Sequence, residues 1–91
     1  MSASRKCLRI TIEGVVQGVG FRPFLHRLAA EYHICGWVRN TSRGLEGVAS
    51  GSSRCLEQFL NAVRSSAPPM AVIQKIDAVP EEDDRDYDRF E

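Results

Sequence analysis

From residue 8 the chain alternates apolar and polar positions, with Leu8, Ile10 and Ile12 set against Arg9, Thr11 and Glu13. That is the period of a strand with one buried face. Past a glycine-rich break the period changes. Leu25, Leu28, Ala29 and Tyr32 recur at i, i+3, i+4 and i+7, which puts one apolar stripe on a helix over about residues 22–32. A short strand is expected over about residues 34–39, followed by Asn40-Thr41-Ser42-Arg43-Gly44, whose residue types suit a hairpin turn ending on glycine. The chain returns as a third strand over about residues 45–50. Gly51-Ser52-Ser53 then ends that strand and offers a serine N-cap. Leu56, Phe59, Leu60 and Val63 make a second apolar stripe, on a helix over about residues 54–65, which Ala67-Pro68-Pro69 stops. A fourth strand is expected over about residues 72–79, then an acidic loop and, over 87–91, the opening of a fifth strand.

Strand, helix, strand, strand, helix, strand is the order of the ferredoxin-like α+β sandwich, an antiparallel sheet covered on one face by two helices. Its geometry places chemistry. A right-handed crossover makes the first two strands parallel, and the third strand lies between them. Their C-terminal ends share one edge of the sheet, about 10 Å apart. The loop after the first strand and Asn40 after the second therefore face a common crevice, about wide enough for a phosphate and a water.

The loop itself is Gly14-Val15-Val16-Gln17-Gly18-Val19-Gly20-Phe21-Arg22. Gly18 and Gly20 both tolerate positive φ, and such turns aim successive backbone N–H groups into one concavity suited to an anion. The helix that follows adds its unpaired N-terminal donors and the positive end of its dipole. The backbone amides of Gln17, Gly18, Val19, Gly20, Phe21 and Arg22 are the expected phosphate cradle, and the Arg22 guanidinium can grip two phosphate oxygens at once. Pro23 suits the first helical position, where no amide proton is needed.

Composition narrows the partner. A chain of 91 residues with 43% hydrophobic and 26% charged residues is expected to form one small globular domain. Net charge is zero, but residues 1–70 carry nine Lys or Arg against four Asp or Glu, while residues 71–91 carry three against eight. The half holding the cradle is thus at +5 and the other at −5, which favours a small anionic ligand over nucleic acid. The predicted first and third strands also lack the exposed aromatics of an RNA-binding sheet. No run of about 18 apolar residues could span a membrane and no apolar leader follows Met1, so a cytoplasmic location is expected. Cys7, Cys35 and Cys55 are odd in number and scattered, which fits half-buried thiols in a reducing compartment and no metal site. His26 falls off the helix stripe, and His33 sits at the helix end, where it suits the dipole. Trp37 and Tyr32 are expected in the core, and Arg39 and Arg43 in solvent. A small neutral domain is expected to be monomeric.

The inventory of groups is an anion cradle, one arginine and one side-chain amide, with no acid or base placed beside them. A phosphate monoester leaves as a basic alkoxide and calls for a general acid or a metal. An acyl phosphate leaves as a carboxylate, with a pKa near ~4, and departs unprotonated at neutral pH. Its hydrolysis needs charge stabilisation and an oriented water, which this inventory supplies without a cofactor.

Gly14 to Arg22, together with Gly36-Trp37-Val38-Arg39-Asn40-Thr41-Ser42-Arg43-Gly44, resembles the two-part signature of the acylphosphatases, and the order of elements is similar from about Cys7 to Val79. The resemblance implies that Arg22 binds the phosphate and Asn40 positions the attacking water. A narrower likeness lies in Gly18-Val19-Gly20-Phe21-Arg22-Pro23-Phe24, Leu25-His26-Arg27-Leu28-Ala29 and Ala67-Pro68-Pro69. These are similar to the N-terminal acylphosphatase-like domain of the carbamoyltransferases that mature nickel-iron hydrogenases. That likeness implies carbamoyl phosphate as substrate, and residues 1–91 as the N-terminal fragment of a longer protein whose downstream domains are its partners. One departure is Val15, where acylphosphatases often carry a basic residue.

Overall fold

In the computed structural model, which describes residues 5–18, 20–81 and 90, the opening alternation becomes β1 (Arg5–Val15), with Ile10 and Ile12 buried on one face. Then come α1 (Phe21–Glu31), β2 (Cys35–Asn40), β3 (Gly44–Ser52), α2 (Ser53–Ser65) and β4 (Val72–Pro80). The strands form one antiparallel sheet in the order β2-β3-β1-β4, the ferredoxin-like α+β arrangement with both helices on one face.

The core lies between that face and the helices. α1 contributes Phe21, Phe24, Leu25, Leu28 and Ala29, a stripe that begins one turn earlier than the spacing from Leu25 suggests. α2 contributes Leu56, Phe59 and Val63, and Tyr32 and Leu60 pack at the margin as expected. The serine cap is Ser52, whose hydroxyl accepts from the Cys55 amide at 3.1 Å, removing one orphan donor from the helix start. Phe59 is 1% exposed and its ring lies 6.2 Å from that of Phe90. Replacing Phe59 by alanine leaves a cavity that helix and sheet cannot close, and is expected to lower the unfolding free energy by about 3–5 kcal/mol in a denaturant titration.

Several expectations need correction. Pro23 is the third residue of α1 and not the first, because buried Phe21 opens the helix and Gly20 caps it. His33 lies beyond the end of α1, at φ 59°, a left-handed position more often held by glycine. The Ile34 amide closes that helix end on the Ala29 carbonyl at 2.8 Å, and Ile34 and Ala29 are both buried. Trp37 is not in the core. Its neighbour Val38 packs against the core, so strand alternation turns Trp37 to the helix-free face. There it pairs in register with Val48, and the Arg39 guanidinium stacks 5.7 Å from its ring centre. Arg39 is exposed as expected, but its Nε also donates to Glu46 at 2.6 Å.

β4 carries an irregularity that the hydrophobic pattern hides. Its register against β1 slips between Glu13 and Gly14, leaving Gln74 as an extra residue. A bulge of that kind returns Ile73 to the same face as Ile76, three positions on, and both pack against the core. Of the expected fifth strand, Phe90 makes a parallel bridge to Gly36 and sets its ring 5.2 Å from that of His26. Residues 87–89 and 91 lie outside the described residues. Cys7, Cys35 and Cys55 are each half-buried.

Candidate active site

β1 ends at Val15, and the chain turns through Gln17 and Gly18 toward Gly20. Gly18 has φ 71° and Gly20 φ 77°, conformations that cost any residue with a Cβ roughly 1–2 kcal/mol. A Cβ built on either glycine meets nothing within 4 Å, so backbone conformation, not crowding, selects glycine there. Val19, the remaining residue of the expected cradle, lies outside the described residues.

Phe21 fixes how α1 leaves the loop. Its side chain is 1% exposed and packs 5.5 Å from the Phe24 ring. The Phe24 amide bonds back to the Gly20 carbonyl at 3.1 Å. Pro23 has no amide proton, so the donors left without an intrahelical acceptor are those of Phe21 and Arg22. Arg22 is exposed and has no ion-pair partner among the described residues. Its carbonyl accepts from His26 Nδ1 at 2.8 Å, one helical turn on. A carbonyl can only accept, so that nitrogen carries a proton.

Asn40 is the last residue of β2, exposed, and paired in register with Leu45. Asparagine at such a place often bonds its own turn. Here Thr41 does so instead. Its Oγ1 accepts from the amides of Arg43 (3.3 Å) and Gly44 (3.1 Å), and its backbone exchanges two further bonds with Gly44. The Asn40 side-chain amide has no hydrogen-bond partner among the described residues, so the turn does not depend on it.

Two contacts bring the halves together. The Gly14 amide donates to the Arg43 carbonyl at 3.1 Å, docking the hairpin turn onto the end of β1. Gln17 Nε2 donates to the Thr41 carbonyl at 2.6 Å and reaches the Gly44 carbonyl at 3.4 Å. Sequence reasoning gave Gln17 only a backbone role and missed this side-chain tie. It joins residues 24 positions apart, a pairing that no local pattern encodes. Thr41, three residues before Gly44, was the readable signal for the turn's own bonding.

The loop after β1 and the turn after β2, joined by these two contacts, carry two helix-start amides, a turn with positive φ, and, among the described residues, an unpaired guanidinium and an unpaired side-chain amide. None of the groups bonded between loop and turn is a carboxylate or a thiol.

The family model described as acylphosphatase matches residues 8–91. The carbamoyltransferase HypF2 of Cupriavidus necator is 48% identical over 69 residues, covering 76% of this chain; the chain spans only 9% of that relative's length. An acylphosphatase of Thermotoga petrophila is 40% identical over 86 residues, 93% of either chain. The crystal structure of full-length HypF in its phosphate- and nucleotide-bound form superposes on 99% of this chain and 12% of its own, with a TM-score of 0.92 and 33% identity. Since the matched stretch starts within β1 and takes in every later element of the fold, the chain belongs to the acylphosphatase family.

Proposed function

We propose that this domain hydrolyses the carboxyl–phosphate bond of an acyl phosphate, with carbamoyl phosphate as the substrate and residues 1–91 acting as one unit within a hydrogenase-maturing carbamoyltransferase. The observation that supports the catalytic reading is the unpaired Asn40 amide, which adjoins the Thr41 carbonyl that accepts from Gln17 and takes no part in the bonding that Thr41 gives the turn. The longer context rests on the HypF relatives. A free-standing acylphosphatase is the second reading, favoured by the match to almost the whole length of the Thermotoga petrophila protein.

In this mechanism the phosphoryl oxygens sit against the amides of residues 17–22 and are gripped by Arg22, which offsets their charge before the reaction begins. Asn40 orients a water for attack on phosphorus. As the P–O bond to the acyl group breaks, its electron pair stays on the acyl oxygen. That oxygen leaves as a carboxylate and needs no proton. The water oxygen becomes the fourth oxygen of phosphate, one of its protons passing to a phosphoryl oxygen and the other staying in place. A dianionic acyl phosphate and water thus give a carboxylate and dihydrogen phosphate, and no metal or general acid enters the scheme.

The test is phosphate release by the wild type from carbamoyl phosphate, acetyl phosphate and glycerol phosphate. Turnover of the first two with none of the third is expected, because only the third leaves as an alkoxide. Binding of phosphate without release from any acyl phosphate would make the domain a binding module.

A further inference from the structure

Among the described residues, the large apolar side chains left exposed are Val15, Met70, Val72 and Val79. Three of them gather at one place. Val15 and Val72 face each other in register at the end of β1 that runs into the cradle, and Met70, 74% exposed, lies two residues before Val72. Alternation puts both valines on the helix-free face, since Ile73, between Val72 and the bulge, packs on the core side. The nearest cation along β4, Lys75, is drawn to Asp77 at 3.5 Å.

The strand order gives this patch a direction. β3 and β2, with Asn40 and its turn, lie on one flank of β1; β4 lies on the other. In phosphoryl transfer the attacking and leaving oxygens stand roughly in line on opposite sides of phosphorus. With the phosphoryl group in the cradle at the end of β1 and the water on the Asn40 flank, the acyl group points to the β4 flank. We infer that Val15, Val72 and Met70 form the acyl subsite, an apolar wall that selects acyl phosphates with an uncharged acyl group over those carrying a second carboxylate. This rests on the hydrolase reading above. An anionic acyl group would lose part of its hydration against the wall, and the nearest cation along β4, Lys75, is already drawn to Asp77. Carbamoyl, acetyl and benzoyl groups lose nothing comparable.

The experiment uses benzoyl phosphate and 4-carboxybenzoyl phosphate, a pair that differs by one distant carboxylate. The ratio of their kcat/KM values is compared in the wild type, Val15→Lys, Val72→Lys and Val79→Lys. Val79→Lys adds the same charge to the same face of β4, but seven residues away, about 23 Å along the strand. The wild type is expected to prefer benzoyl phosphate about tenfold, and Val15→Lys and Val72→Lys to remove most of that preference. Val79→Lys should leave the preference unchanged. If all three lysine variants shift the ratio equally, or none does, while the wild type turns over both compounds, the acyl subsite is overturned and the hydrolase reading stands. If the wild type releases phosphate from neither compound, the hydrolase reading falls and the subsite falls with it.

Discussion

Arg22→Ala is expected to lower kcat/KM for acyl phosphates about 10³-fold, or about 4 kcal/mol of transition-state stabilisation, without unfolding the domain. Both halves of that expectation follow from where the residue sits. Its side chain is exposed, belongs to no ion pair among the described residues and lies off the buried stripe of α1, so the core does not register its loss. Alanine is also a good helix former. The charge beside the cradle does disappear, and with it the one planar group there able to hold two phosphoryl oxygens. In the proposed mechanism arginine grips the phosphate in the ground state as well as in the transition state, so inhibition by inorganic phosphate should weaken along with kcat/KM. Arg22→Lys, which keeps the charge but not the fork, should fall between the two. Full activity in a folded Arg22→Ala protein would remove the arginine from the mechanism.

Asn40→Ala is expected to behave differently, with kcat falling about 10²- to 10³-fold and the inhibition constant of phosphate unchanged. The distinction comes from the turn. Thr41, not Asn40, bonds the amides of Arg43 and Gly44, and the backbone of Asn40 pairs with Leu45 whatever its side chain. Removing the amide therefore leaves the hairpin, the Gln17 tie and the cradle in place. What it removes, in the proposed mechanism, is the group that aims the water, an effect confined to the transition state, which lowers kcat and kcat/KM equally and leaves KM unchanged. A parallel rise in the phosphate inhibition constant would mean that Asn40 holds the phosphate instead. Loss of thermal stability would mean that it is a structural turn residue after all.

How much of this was readable beforehand varied with the kind of force involved. β1 and the two helices were legible because each has one buried face, and Ile10, Ile12, Leu25, Phe59 and Val63 repeat at the period that such a face demands. A serine cap within Gly51-Ser52-Ser53 was legible because capping is local, although the helix starts at Ser53, one residue before the expected 54. β4 was harder: Ile73 and Ile76 are three apart, a helical spacing, and only the bulge at Gln74 reconciles it with a strand. Trp37 misled because size suggests burial, whereas the alternation through Gly36 and Val38 had already assigned the other face to the core. Pro23 misled because its preference for the first helical turn does not fix which position of that turn it takes; burial of Phe21 does. In the candidate site, the meeting of the loop after β1 with the turn after β2 was legible from topology, since strand order and crossover hand bring those ends to one edge. The Gln17 contact could not, because it depends on two loops meeting after the sheet has formed.

The bond from the Gly14 amide to the Arg43 carbonyl ties catalysis to folding cooperativity. It continues the β1–β3 pairing, which runs in register from Arg5 opposite Ser52 to Glu13 opposite Gly44, so the two walls of the crevice belong to one hydrogen-bonded ladder. A sheet that paired one residue out of step would turn the core residues of β1 to solvent and would also separate the two walls. Enzyme activity during refolding should then emerge with the final, register-fixing phase and not with early helix formation, which makes turnover a direct clock for the correct closure of the central strands.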